Sequence, residues 1–148
     1  MAYEFKLTRQ VEFSETDMAG IVHFSNFYKY MEAAEHAFFR SLGLSIHATG
    51  LPIPIGWPRV HASCDFRHPL RFEDTFEVHL LVRERKERTI AYTIIFRKLN
   101  GDKPREVARG ALTVACVTRD KPGGPMRSVE IPEEIAARIE NAPVELLK

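Results

Sequence analysis

The sequence predicts an α+β domain in which one long helix lies on an antiparallel sheet, and three observations predict it. Apolar residues recur at three- and four-residue steps from about Ser25 to Leu42. A two-residue alternation of apolar and polar side chains marks the segment before that helix and much of the chain after it. The later segments are joined by hairpin-like connections, which favour antiparallel neighbours. A chain of 148 residues is long enough for one good core, so residues 1–148 are read as a single domain.

The first strand falls between Tyr3 and Phe13, where Phe5, Leu7, Val11 and Phe13 hold the odd positions. The turn-prone stretch Ser14-Glu15-Thr16-Asp17 follows. In the helix, Phe27, Tyr30, Met31, Ala34, Phe38 and Leu42 form the apolar face, and Gly43 stops it. Tyr28, Glu32, Glu35 and Phe39 form a flanking stripe of a half-open surface, with Glu35 assigned to the surface or an interface. Leu51 to Pro58 is a proline-rich connection that regular helix cannot accommodate.

Four strands are expected near Arg59 to Phe66, Thr75 to Lys86, Thr89 to Leu99 and Glu106 to Thr118, which makes five in all. In the second of these, Phe76, Val78, Leu80 and Val82 alternate with an opposite face of Glu77, His79, Leu81 and Arg83. Asn100-Gly101 is a hairpin signal, Pro122 to Pro125 closes the strand region, and a short helix is expected over 132–141. A single helix leaves sheet edges open, and self-association is the usual remedy.

Charge excludes several partners. Twenty-one basic and 20 acidic residues give a net +1, so no global field recruits nucleic acid or an anionic membrane. No apolar run approaches the roughly 18 residues a bilayer span needs. The N-terminus lacks the basic-then-apolar pattern of a secretory signal, so the expectation is a cytoplasmic protein. Cys64 and Cys116 read as small hydrophobes within strands, without an evident base. His61 and His68 lack clustered partners, no metal site is expected, and no nucleophile elbow or glycine-rich phosphate loop is present.

The chemistry concentrates between Asp17 and Glu35. An acid in a tight turn immediately before a helix faces free amides and the positive end of the helix dipole. Such a carboxylate can attack, or activate water, while those amides stabilise an oxyanion. An ordinary turn Asp bonding local amides fits the same position. Gly20 reads as a positive-φ turn residue and Asn26 as support for the turn or a neighbouring strand.

The residues Asp17, Gly20, Ile21-Val22, Asn26-Phe27 and Tyr30 resemble the signature of hotdog-fold acyl-CoA thioesterases of the 4-hydroxybenzoyl-CoA thioesterase type. Ser63 to Phe66 with Pro69 and Asp74, and then Ile131-Pro132, extend that resemblance over roughly residues 5 to 135. It implies a hotdog fold, a five-stranded antiparallel sheet wrapped around one long helix. It implies hydrolysis of an acyl-CoA thioester, with Asp17 as nucleophile or general base and the Phe24 backbone amide as oxyanion donor. It also implies a homodimer or homotetramer with a pocket shared between subunits, and no cofactor, since coenzyme A belongs to the substrate. Many relatives carry Tyr-His where this chain has His23-Phe24, so the backbone role survives and a side-chain His role at position 24 does not.

On the substrate side, His23, Asn26, Tyr28, Glu32 and Trp57 are candidates, and Arg85, Lys86 and Arg88 are candidates for the phosphates of coenzyme A. Plainer readings stand beside them: a packed histidine, a solvated helix acid, a core tryptophan and a solvated charged hairpin. A non-catalytic acyl-thioester-binding protein and an enzyme acting on carrier-protein thioesters are the alternatives in function.

Overall fold

The computed structural model describes residues 1–47 and 50–148. A five-stranded antiparallel sheet has the order β1-β3-β4-β5-β2. Its strands are β1 (Glu4–Gln10), β2 (Arg59–Phe66), β3 (Thr75–Arg85), β4 (Thr89–Lys98) and β5 (Arg105–Ala115). The helix α1 (Phe24–Ser41) crosses one face. Its buried Phe27, Tyr30, Met31, Ala34 and Phe38 meet Phe76, Val78 and Leu80 of β3, Tyr92, Ile94 and Phe96 of β4, and Leu112 of β5. Ring packing sets the spacing, with Phe27 centred 5.1 Å from both Phe66 and Phe96. Gly110 of β5 lets the helix come close, because a Cβ there would stand 2.5 Å from Met31 Sδ.

Helix bounds and β2 agree with the sequence reading, and the other strands shift at their ends. β1 stops at Gln10, and Phe13 lies in a 3-10 turn, Phe13–Glu15, largely exposed. The Asn100-Gly101 pair lies in the β4–β5 hairpin, but its connection is longer than two residues. The strand region does not close at Pro125: β6 (Val117–Thr118) pairs with β7 (Arg127–Ser128). The helix expected over 132–141 is reduced to one turn, α2 (Glu133–Ala136).

The opposite face of β3 is also covered, where the terminal segment packs Ala142 and Leu147 on Leu81 and Ile95. One burial expectation is overturned. Glu35 is fully buried rather than at the surface. A cation reaching from Arg59 makes that possible, with Nη2 at 2.6 Å from Oε1. Among the described residues no helix is long and apolar enough to cross a membrane.

Candidate active site

Asp17 sits in a turn closed on both sides by backbone bonds. Its amide donates to the Ile21 carbonyl at 2.8 Å, and the Gly20 amide donates to its own carbonyl at 2.9 Å. Gly20 has φ +80, a conformation that costs an L side chain about 1–2 kcal/mol. The carboxylate is half-buried, and Oδ1 accepts from the Ala19 amide at 2.9 Å and more weakly from Ile21 at 3.4 Å. Oδ2 has no partner among the described residues. One oxygen is thus anchored while the other is left for chemistry.

Helix α1 begins beside this turn. His23 is its N-cap: Nδ1 accepts from the Ser25 amide at 3.3 Å and lies 2.7 Å from Ser25 Oγ. Phe24, the first helical residue, has an amide with no intrahelical acceptor. Asn26 Nδ2 donates to the Glu15 carbonyl at 2.8 Å and so ties the first helical turn to the acidic turn.

The other wall is the loop from Arg67 to Asp74. The Val22 amide donates to the Leu70 carbonyl at 2.8 Å, and Ile21 and Arg71 form an isolated antiparallel bridge. Asp74 braces this loop from within: Oδ2 accepts from the Arg71 amide at 2.8 Å and Oδ1 from Asn100 Nδ2 at 2.9 Å. Burial pushes the Asp74 carboxyl up, but these bonds and the nearby Lys98 outweigh it and hold the group below its ordinary range.

Between the walls lies a cleft of 480 Å³ that Asp17, Phe24, Phe27 and Phe66 line together with Arg67, His68 and Arg71. The aromatic side suits an apolar acyl group and the basic side suits polar or anionic substituents. Arg67 is held by Glu106, and the His68 ring lies 3.0 Å from Arg105 Nη2. Sequence reasoning missed this basic wall, although three basic residues around Pro69 were its signal.

The expected site residues divide in two. Asp17, Gly20 and Phe24 come together at the turn and helix start, with Asn26 behind them. The rest do not line this cleft within one chain. His23 is spent on capping. Tyr28 packs half-buried against the core, and Glu32, more than half exposed, pairs with Arg59 at 3.2 Å. Trp57 packs on Phe39, 5.7 Å between ring centres, far along the helix. Arg85, Lys86 and Arg88 stand at the distal end of β3 and its turn. Arg85 Nε donates to the Ile139 carbonyl at 2.9 Å, Arg88 Nη1 to the Ser128 carbonyl at 3.1 Å, and Lys86 lies 3.8 Å from Glu84. The free thiols Cys64 and Cys116 are pushed up to about 12 and about 11 by burial, so neither is a ready nucleophile. Among the described residues no cluster of three His, Cys, Asp or Glu side chains could hold a metal.

One sheet folded around one long helix, with an acid-bearing turn against the helix start, is the architecture of the hotdog fold. The profile of the Thioesterase-like superfamily matches residues 11–139. An Aquifex aeolicus protein provisionally named an esterase is 37% identical over 97 residues, covering 64% of this chain and 73% of its own. The 4-hydroxybenzoyl-CoA thioesterase of Pseudomonas sp. (strain CBS-3) is 24% identical over 140 residues, 90% of this chain and 96% of that enzyme. Among solved structures, a gentisyl-coenzyme A thioesterase superposes with a TM-score of 0.71 at 28% identity, covering 89% of this chain and 99% of its own. The chain belongs to the thioesterase-like superfamily and is a thioester hydrolase.

Proposed function

We propose that the protein hydrolyses an acyl-CoA thioester to the free acid and coenzyme A. The observation that carries this reading is the single cleft lined by both Asp17 and Phe24. The thioester carbonyl would lie with its oxygen toward the Phe24 amide, where the helix dipole adds to the hydrogen bond. Asp17 Oδ2 would then attack the carbonyl carbon, or take a proton from water that does so. Loss of the coenzyme A thiolate completes the acyl transfer, and water regenerates the carboxylate if the acyl group passed through Asp17. Gly20 keeps the turn tight and Asn26 keeps the helix start in place.

The phenyl rings of Phe24, Phe27 and Phe66 favour an aromatic acyl group, and relatives named for 4-hydroxybenzoyl-CoA and gentisyl-coenzyme A support that choice. A short or medium aliphatic chain fits the same walls. Neither cofactor nor metal is needed for this chemistry, and a cytoplasmic setting suits its substrate.

A homo-oligomer, a dimer or a dimer of dimers, is part of this reading. Its support is β2, an edge strand with one unpaired side, on which Val60 and Phe66 remain 61% and 48% exposed. Sedimentation or light scattering reads the assembly directly.

Asp17→Asn tests the chemistry. Free-thiol release from benzoyl, hydroxybenzoyl, hydroxynaphthoyl and straight-chain acyl-CoAs should fall by at least about a hundredfold in kcat, with acyl-CoA binding retained. A variant that binds and turns over like the wild type removes Asp17 from the mechanism and favours a binding protein.

A further inference from the structure

The start of α1 is bound to the acidic turn through Glu15, two residues before Asp17. The Glu15 carbonyl accepts twice from the helix start, from the His23 amide at 2.9 Å and from Asn26 Nδ2 at 2.8 Å. Phe24 follows His23 directly, so the Phe24 amide and the Asp17 carboxylate are both placed relative to one carbonyl.

The Glu15 side chain is held as firmly. Only 14% of it is exposed, and Oε2 lies 3.7 Å from Arg9 Nη2. Oε1 accepts from the Glu12 amide at 2.8 Å, and the Glu15 amide donates to the Glu12 carbonyl at 3.0 Å. Arg9 is itself seated, with Cζ 5.2 Å from the centre of the Tyr30 ring.

Tyr30 carries the group that packing does not explain. Its ring belongs to the core, centred 4.9 Å from Phe76 and 5.9 Å from Phe27. Its hydroxyl is buried with no hydrogen bond among the described residues, a cost that Phe would avoid. Burial, and after it the Glu15 carboxylate, push this hydroxyl above its ordinary range. It therefore keeps its proton and meets Glu15 as a donor. Arg9, Glu15 and Tyr30 do not line the Asp17 cleft, so any effect they have on substrate passes through the groups that do.

We propose that Glu15 and Tyr30 are a positioning pair. The Tyr30 hydroxyl and the Arg9 guanidinium hold the Glu15 side chain, and the Glu15 carbonyl then sets the separation of the Asp17 carboxylate from the Phe24 amide. The proposal rests on the acyl-CoA reading of the Asp17 cleft and adds the device that keeps its two reactive groups in register. Such a device has a steep effect, because misplacing reacting groups by about 1 Å costs about a hundredfold in rate. Contacts with bound substrate are left intact, so the loss belongs to kcat and not to KM.

Glu15→Ala, Glu15→Gln, Tyr30→Phe and Glu15→Ala/Tyr30→Phe are compared with wild type and Asp17→Asn. Each is assayed on the acyl-CoA that wild type turns over fastest, and hydrogen exchange is followed at the His23 amide. Glu15→Ala should lose at least about tenfold in kcat with KM within about twofold. Glu15→Gln keeps an acceptor for the Glu12 amide and should recover much of that loss. Tyr30→Phe should lose about threefold or more in kcat without a lower Tm, whereas a purely structural hydroxyl would leave kcat alone. The double variant should be no slower than Glu15→Ala, since both changes act through one carbonyl. In Glu15→Ala the His23 amide should exchange at least about tenfold faster while β4 amides keep their protection.

Tyr30→Phe at wild-type kcat overturns the proposal, even where Glu15→Ala does not fold. So does a folded Glu15→Ala protein with wild-type kcat, or losses that add in the double variant. Where hydrolysis still depends on Asp17, these results sink the positioning pair alone. An Asp17→Asn variant as fast as wild type sinks the reading of the cleft instead, and His23 exchange then reports whether Glu15 still grips the helix start.

Discussion

Replacing Arg59 by Met would strand a carboxylate inside the helix–sheet interface. Glu35 is fully buried, and Arg59 Nη2 at 2.6 Å is its closest cation. Burial already pushes the Glu35 carboxyl above its ordinary range, against the pull of Arg59, and the Tyr92 hydroxyl is its other polar neighbour. Met keeps most of the aliphatic volume and removes the charge, along with the bond from Arg59 Nη1 to the Trp57 carbonyl at 3.0 Å and the exposed pair with Glu32 at 3.2 Å. Stranding one member of a buried pair costs about 3–5 kcal/mol. Arg59 keeps 27% of its side chain exposed, and Glu35 can take up a proton instead, so about 2–4 kcal/mol is expected near pH 8. At about 2–4 °C per kcal/mol, Tm should fall by about 4–16 °C.

The loss has a pH signature. A carboxyl raised in the folded state is no burden below its unfolded pKa and becomes one as pH climbs toward its folded pKa. Removing Arg59 raises the folded pKa further, so the gap between wild type and variant should narrow from about pH 8 to about pH 5. Asp74 and Glu106, both held below the usual carboxylate range, lose their contribution with acid in both proteins, and the difference between the two cancels that. Thermal melts across this range, repeated with Arg59→Met/Glu35→Gln, read the effect. A single variant down by under about 1 kcal/mol, a gap indifferent to pH, or a double variant no better than the single would refute a buried charge as the cause.

Two further outcomes follow from close contacts. Gly110→Ala would drive a methyl against Met31 Sδ and to 3.3 Å from the Ser63 carbonyl. Met31 can shift, but the strand cannot, so a loss of about 1–3 kcal/mol in chemical denaturation is expected; an unchanged midpoint would show that the helix has room to spare. Asp74→Asn should cost about 1–3 kcal/mol at pH 7 by weakening the brace on the Arg71 amide. Because the Asp74 pKa is depressed, its contribution is present above the unfolded value near 4 and lost as pH falls through the folded one. The two proteins should converge in acid, and a pH-independent gap would contradict the assignment.

Periodicity carried most of the fold. The three- and four-residue steps from Phe27 to Phe38 located the helix, and β2 ran where its residues suggested. What it missed depends on distant partners. Glu35 looks like a flank residue on a helical wheel, and only Arg59, twenty-four positions away, makes its burial possible. Nothing local around Leu81 reveals that Ala142 and Leu147 will cover it. That the His23 ring caps the helix through Nδ1 was likewise not read from the sequence. At the site, the turn and helix start were legible because they lie close in sequence. The basic wall from Arg67 to Arg71 reaches Asp17 through tertiary folding, and no local pattern connects the two.

The two walls of the Asp17 cleft are sewn together by main-chain atoms, through Val22 to Leu70 and Ile21 to Arg71. Seams of that kind survive exchange of the side chains beside them. In the proposed reading, Arg67, His68 and Arg71 can therefore be replaced to suit another acyl group while the Asp17 carboxylate stays where it is. Selectivity and reactivity occupy separable layers of the scaffold, so a family built on this arrangement can diversify its substrates without rebuilding its chemistry.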